Sequence, residues 1–476
     1  MITLRQNKGF ALVFSLIFLF LIVSFMAVYI LAVANGISEA NRIANGKKAY
    51  YIADAGLADA YERITQAGIN VVPSSTPGNP YIPSASTDNG TYSVGPVNGH
   101  YTVTVVYSNS PRSNYTIIST GTYGNISKTL QLKIIGAAIS KYAYWSQTEI
   151  NPQWGQLWWV GAPGLQMVTT GPVQTNGTLN IFGNPIFDGP VTEVGGPTPN
   201  YYFGQGTSGL QSNPAVIFPD SMTNNAPSVN LPAQQTLNAI QSVASDGSGL
   251  VLTGASTVIF NANGTITVTG NVTNAAGTVT TTYNNTTMNP PANGVVYVQT
   301  KSGHTCSSTS YLPPIDPACG NVTVQGTVSG QLTVAADQNI NISGSVSYNK
   351  DPRTDPSSTD LVGLVANQNI TVIQSSAPAQ LEMSAVLVAL QGSFQVDNWW
   401  AYMGNANTAV MDQFGSLINY VCGVTGEMDL SGNLLGGWNQ IQAYDARLAT
   451  LAPPGFPPYV NNAGDGVYSK LSISEL

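Results

Sequence analysis

Few residues in this chain are of the types that do chemistry, and their spacing limits what they can do. The 476 residues include two histidines, His100 and His304, and three cysteines, Cys306, Cys319 and Cys422. Neither histidine has a serine or cysteine at a spacing that builds a nucleophile and its base. No phosphate-binding loop, dinucleotide glycine pattern or H-E-x-x-H helix occurs. Asp351, Asp355 and Asp360, in NKDPRTDPSSTD, offer oxygen ligands to a calcium ion but lack the EF-hand order, so they read as a solvated turn. Cys306 and Cys319 flank a Pro-rich loop, CSSTSYLPPIDPAC. Outside the cytoplasm they are expected to close it as a disulfide, with two reduced thiols as the alternative. No CxxC or His-plus-Cys spacing suggests zinc. No catalytic residue, cofactor or metal is expected, and the chain reads as not an enzyme.

Seven tryptophans fall in two stretches. Trp145, Trp154, Trp158 and Trp159 form one, and Trp399, Trp400 and Trp438 the other. Exposed, they would stack on sugars or on a foreign surface. Large aromatics usually bury area, so the favoured expectation is that they fill joints inside the fold.

Composition narrows the class. Charged residues are 8% of the chain, against roughly 25% in ordinary soluble domains. Gly (48) and Pro (29) are plentiful, and from about residue 70 Thr, Asn, Ser and Val are dense, which suits short strands and tight turns. At 43% apolar and a net charge of −8 the chain is not disordered. Fifteen basic residues, with no patch outside the N-terminal helix, argue against a nucleic-acid partner.

The elements that position these residues begin with KGFALVFSLIFLFLIVSFMAVYILAVANG. Phe10 to Ala34 carry no charge and are long enough to span a bilayer. Ala32-Val33-Ala34 offers a signal-peptidase site, but the apolar run exceeds the usual 7–15 residues of a signal. The pattern then turns amphipathic. Ile43, Tyr50, Leu57 and Ile64 recur at seven-residue spacing, with Gly46, Ala53 and Ala60 beside them. Asp54 and Asp59 on this stretch are read either as pairing across subunits or as solvated helix charges.

A short basic leader ending in Gly9, then Phe10, then a long apolar helix becoming amphipathic resembles the type IV prepilins. The segment Ala53-Asp54-Ala55-Gly56-Leu57 resembles the helix of PilX-type minor pilins. The resemblance implies cleavage between Gly9 and Phe10 by a prepilin peptidase, methylation of Phe10, other pilins as helix partners, and passage from the bacterial inner membrane to a surface pilus. One position departs from the pattern. Most pilins carry Glu at the fifth mature position, where it is thought to neutralise a neighbour's amine; here it is Phe14. A buried amine without a counter-charge is costly, which points to a minor component at the tip and away from a bulk subunit.

The chain divides into a leader (1–9), a long helix (10–68, of which 10–34 spans the membrane), a pilin-like β domain (69–136) and a β-rich passenger (137–476). Residues 69–90 are expected as a loop, followed by strands at Thr91–Val94, His100–Tyr107, Asn114–Gly121 and Ile126–Ile135 forming an antiparallel sheet on the helix. In the passenger, Ala336–Ile342 (ADQNINI) returns as Ala366–Val372 (ANQNITV) thirty residues on, with a looser copy, LVALQGSFQV, at 387–396. That spacing suits rungs of a β-solenoid; a β-sandwich is the alternative. Phrases such as GPVQTNGTLNIFGNP and AYDARLATLAPPGFP resemble a domain of uncharacterised function fused to minor pilins. Arg447 beside Asp445 is read as a buried pair or an exposed one, and the Pro-rich end as a cap that pins the tail to the passenger. The expected function is a minor pilin or pilin-like tip component displaying a β-rich domain for adhesion, surface recognition or priming of assembly. The alternatives are a type II secretion pseudopilin and a secreted β-solenoid enzyme acting on polysaccharide.

Overall fold

The computed structural model describes residues 8–67, 90–94, 99–107, 114–136, 138–162, 165–202, 212–231, 233–307, 316–401, 409–429, 433–456 and 468–476. Most of the leader and of the loop expected at 69–90 therefore lies outside the described residues. Of Lys8–Ala11 only the backbone is described, so the side chain of Phe10 lies outside as well.

One helix, α1 (Lys8–Ala67), runs for 60 residues, about 90 Å at 1.5 Å per residue. It is long and apolar enough to cross a membrane, and none of its most apolar window is buried. Its second half is covered by an antiparallel sheet of β1 (Gly90–Val94), β2 (Gly99–Tyr107), β3 (Asn114–Tyr123) and β4 (Ile126–Gly136), paired in that order. The buried stripe is Ala49, Ala53, Leu57, Ala60 and Ile64, against Val103, Val105, Ile117, Leu130, Leu132 and Ile134. Ile43 and Tyr50 of the expected stripe are exposed. A strict seven-residue spacing drifts by about 20° per heptad on a straight helix, so 3- and 4-residue steps follow the contact face and Ala49 takes the place of Tyr50. Small residues set the distance: a Cβ on Gly121 of β3 would lie 2.2 Å from the Ala49 carbonyl and the Ala53 nitrogen. Asp59 pairs within the chain, with Arg63 at 2.8 Å and the Tyr101 hydroxyl at 3.1 Å.

The sheet has a fifth strand, and it is the end of the chain. Tyr468–Glu475 pairs antiparallel with β4, Tyr468 opposite Gly136 and Ile473 opposite Leu132. Tyr61 of α1 donates to the Tyr468 carbonyl, and Lys128 pairs with Glu475. The tail is thus pinned to the helix-bearing sheet, where the sequence reading pins it to the passenger. The passenger is spliced into the head between Gly136 and Tyr468, and both of its connections leave the same end of the sheet. Pairing across more than 330 residues leaves no local signal in YSKLSISE.

The passenger contains a 19-stranded sheet. Apart from the hairpins joining Leu250–Phe260, Ile266–Thr273 and Val279–Met288, its strand pairings among the described residues are parallel, so the antiparallel sandwich is not the arrangement found. The thirty-residue repeat stacks in register: Ala336 pairs with Ala366 and Ile340 with Ile370. The looser copy is the next layer, Ala389 on Ala366 and Phe394 on Ile370. At the corners, asparagines cap the neighbouring backbone. Asn339 N donates to Asn321 Oδ1, Asn369 N to Asn339 Oδ1 and Ser393 N to Asn369 Oδ1, at 3.0–3.1 Å. An Asn side chain satisfies a turn amide that the ladder leaves unpaired, which is why Asn recurs there.

The stack does not follow chain order throughout. The first passenger strand of this sheet, Tyr144–Thr148, lies between Val410–Val421 and Val173–Thr175. Layers of 173–223 continue on one side of it, and layers of 250–421 on the other. Beginning and end of the passenger are therefore bonded to each other. The segment expected as a cap does pack on the stack: a Cβ on Gly363 would meet Phe456 at 2.5 Å, and Thr333 Oγ1 donates to the Pro454 carbonyl at 2.6 Å. Arg447 forms a 2.7 Å ion pair with the buried Asp445. It also donates to the carbonyls of Ser358 and Asp360, holding down the turn with the three aspartates.

Candidate ligand-binding site

That junction brings the two tryptophan stretches together. Tyr144–Thr148 carries one stretch and leads into the segment to Ala162; Val410–Val421 lies between the two parts of the other. Together they enclose a cavity of about 490 Å³. The tryptophans divide. Trp145, Trp159, Trp399 and Trp438 are buried and fill the fold, while Trp154 is 42% exposed at the cavity wall and Trp158 is half-buried there; Trp400, 49% exposed, packs beside Trp154 outside the lining. Trp154 meets Trp399 edge-on at 5.7 Å and Trp400 at 5.9 Å, and Trp399 meets Trp400 at 5.6 Å. On another part of the wall Trp158 is edge-on to Tyr202 at 5.3 Å. Such tilted contacts match ring edges to ring faces and hold the indoles in place.

A short hairpin, Gly426–Met428 with Leu434–Gly437, forms part of the rim and carries Glu427. It seats against the turn Trp399–Ala401 closely enough that a Cβ on Gly436 would lie 2.8 Å from the Trp399 carbonyl. Polar groups reach the cavity from the floor and rim. Asn419 accepts from Phe394 N at 2.8 Å, Gln440 accepts from Thr425 Oγ1 at 3.3 Å, and Gln156 is exposed. No Lys, Arg or His lines the cavity among the described residues.

Below the cavity lies a buried acidic pair. Glu149 accepts from Ser146 Oγ and from the Tyr144 hydroxyl, the latter at 3.2 Å. Burial pushes its carboxyl above the ordinary range, against the pull of these hydrogen bonds. Glu193 accepts from Leu179 N at 2.8 Å. Burial, the opposing Leu179 N–H and the nearby Glu149 charge together leave its pKa at about 7. Burial and Glu149 also push the Cys422 thiol up, so it is held as an unreactive thiol.

The other sequence-selected residues do not join this site. Cys306 and Cys319 are bonded to each other, Cα atoms 5.8 Å apart. With His304 they form a group close enough to hold a metal, but the bond removes both thiolates. His304 instead meets Asp316 at 2.7 Å. Asp351 pairs with Arg353, Asp355 caps Ser357, and Asp360 accepts from Gly330 and Lys350 N, so each aspartate serves the turn. His100 lies on β2 in the head. Sequence reasoning identified the tryptophans without bringing them together. Their two clusters were the available signal, and the pairing of Tyr144–Thr148 with Val410–Val421 was not readable from either.

No family model matches the chain, and no curated protein matches it. Among solved structures it is similar to the crystal structure of the competence-associated pilin ComZ from Thermus thermophilus. The identity is 13% and the TM-score 0.29, over 91% of this chain and 98% of that one. A likeness at this level fixes neither fold nor function.

Proposed function

We propose that this chain is a pilin-like, low-copy component of a type IV filament, and that its passenger is a β-solenoid displayed for recognition. One observation carries the proposal. A single helix has an uncovered apolar half and a second half buried under an antiparallel sheet, and the passenger is inserted into that sheet. The uncovered half, Leu12 to Val33, is suited first to a bilayer and then to the helices of other pilins. Because both passenger connections leave the same sheet end, a pull on the passenger loads β4 and the C-terminal strand together and does not unzip them.

The solenoid reading rests on parallel layers stacked in register, with Val, Ile, Leu and Ala inside and Asn at the corners. Phe14 in place of Glu supports a tip position over the shaft. The proposed work is recognition and not turnover: the buried carboxylates serve the core, and His304 is tied to Asp316. Mass spectrometry of the mature N-terminus tests the class. A chain beginning at methylated Phe10 is expected; one beginning at Asn35 means ordinary secretion and overturns it. On sheared filaments the protein is expected well below the main subunit in copy number, and equal numbers would remove the tip assignment.

A further inference from the structure

We propose that the tryptophan-walled cavity is a binding site for a neutral carbohydrate. The proposal rests on the reading of the passenger as a recognition domain and does not depend on pilus assembly. Three features select the ligand class. First, Trp154 is exposed and Trp158 half-buried at the wall, so both keep indole surface in water, while Trp145 and Trp438 are fully buried. An indole face is the electron-rich side of the ring and suits the electropositive C–H face of a pyranose. Second, the polar lining is of amides, a hydroxyl and carboxylates: Gln156, Asn419, Gln440, Thr425, Glu427 and Asp429. Amides both donate and accept, as sugar hydroxyls require, and carboxylates accept from them. Third, charge excludes the competitors. With no basic side chain on the wall and Glu427 at the rim, a uronic, sulfated or phosphorylated ligand is repelled. A quaternary ammonium would suit the acids but needs rings spread around it, and Trp154, Trp399 and Trp400 pack directly on one another at 5.6–5.9 Å. The volume, about 490 Å³, falls within the roughly 300–1,000 Å³ of small-molecule sites.

The test uses the full chain in detergent micelles, titrated with neutral di- and trisaccharides built from glucose, galactose, mannose and N-acetylglucosamine. Choline and a uronic-acid disaccharide serve as competitors. Tryptophan fluorescence and calorimetry report binding. At least one neutral sugar is expected to shift the emission and bind, while choline and the uronic disaccharide do not. Trp154→Ala is expected to weaken binding by roughly three- to tenfold at an unchanged melting temperature. Trp154→Phe, which keeps a ring, is expected to lose less. No response to any neutral sugar, a preference for choline or the uronic sugar, or a Trp154→Ala variant that binds as well as the parent would each overturn the proposal. The mature N-terminus is measured on the same preparation. A chain starting at Phe10 that binds no sugar removes this proposal alone, and a sugar-binding chain starting at Asn35 removes only the filament assignment.

Discussion

Two regions of the passenger use one column of the sheet in opposite ways. Along it run Leu252, Val298, Ala336, Ala366 and Ala389, then Asn419, Ser146, Thr175 and Glu193, each paired in parallel with the next. All nine are buried. In the region of 250–389 the column is apolar and each layer repeats the last. From Asn419 onward it is polar, and Ser146 and Thr175 join their hydroxyls at 2.7 Å. The change falls where the passenger's first strand meets its last long one, beside the cavity. Apolar layers specify regular stacking because any neighbour with the same pattern fits. A buried polar group is tolerated only where its partners are fixed, so a polar column specifies one particular neighbour. The regular region is built to stack, and the junction is built to close the passenger on itself and to shape the cavity.

The largest expected effect lies in the regular region. Leu364 is fully buried between layers. Leu364→Ala removes apolar contact and leaves a void in close-packed layers, at a cost of about 2–5 kcal/mol. Chemical denaturation of the full chain measures this. A loss well under 1 kcal/mol would mean that the layers are not packed as rungs. Sugar titration of the same variant under native conditions is expected to match the parent, since the cavity lies at the junction.

What was legible in the sequence follows the same division. The repeat at 336–342 and 366–372 was readable because stacked layers impose one pattern on successive segments, and its thirty-residue offset is the observed register. The four local strands of the head were readable because hairpin neighbours alternate visibly. The junction was not. Ser146, Thr175, Glu193 and Asn419 share no pattern, since each answers a specific partner and not a periodic one. The fifth head strand failed for a related reason: Leu471 and Ile473 are exposed, so alternation in YSKLSISE does not mark a buried face. Trp154 and Trp400 look the same in sequence as the buried Trp145 and Trp438, and only the fold separates them.

A smaller effect is expected at the corners of the regular region. Asn369 Oδ1 accepts from the buried Ser393 N at 3.0 Å, and Asn369 Nδ2 donates to Asn339 Oδ1 at 3.3 Å. Asn369→Ala leaves a buried amide without its acceptor, for about 1–3 kcal/mol. Hydrogen exchange at Ser393 is expected to quicken while amides of 173–193 keep their protection. Equal loss in both regions would show that the corners act on the passenger as a whole and would weaken the division drawn between them.

The subtlest effect is confined to the polar end of the column. Glu193 has a folded-state pKa of about 7, raised by burial and by Glu149 against the pull of Leu179 N–H, and its Oε1 has no hydrogen-bond partner among the described residues. Tyr201, whose own hydroxyl is pushed up by burial and by this carboxylate, is close by. A carboxyl that holds its proton more tightly folded than unfolded stabilises the fold at low pH. That contribution is present below about 4.5 and is lost as pH rises toward 7, because the folded state binds more protons across this window. Glu193→Gln keeps a neutral group of similar shape and does not titrate. Its melting temperature is therefore expected to gain on the parent's as pH rises from 4.5 to about 7, with the gap constant above that. Parallel curves would mean that Glu193 is ionised throughout. The polar column would then hold a charge that must find its compensation at the junction, and the contrast with the apolar region would be sharper still.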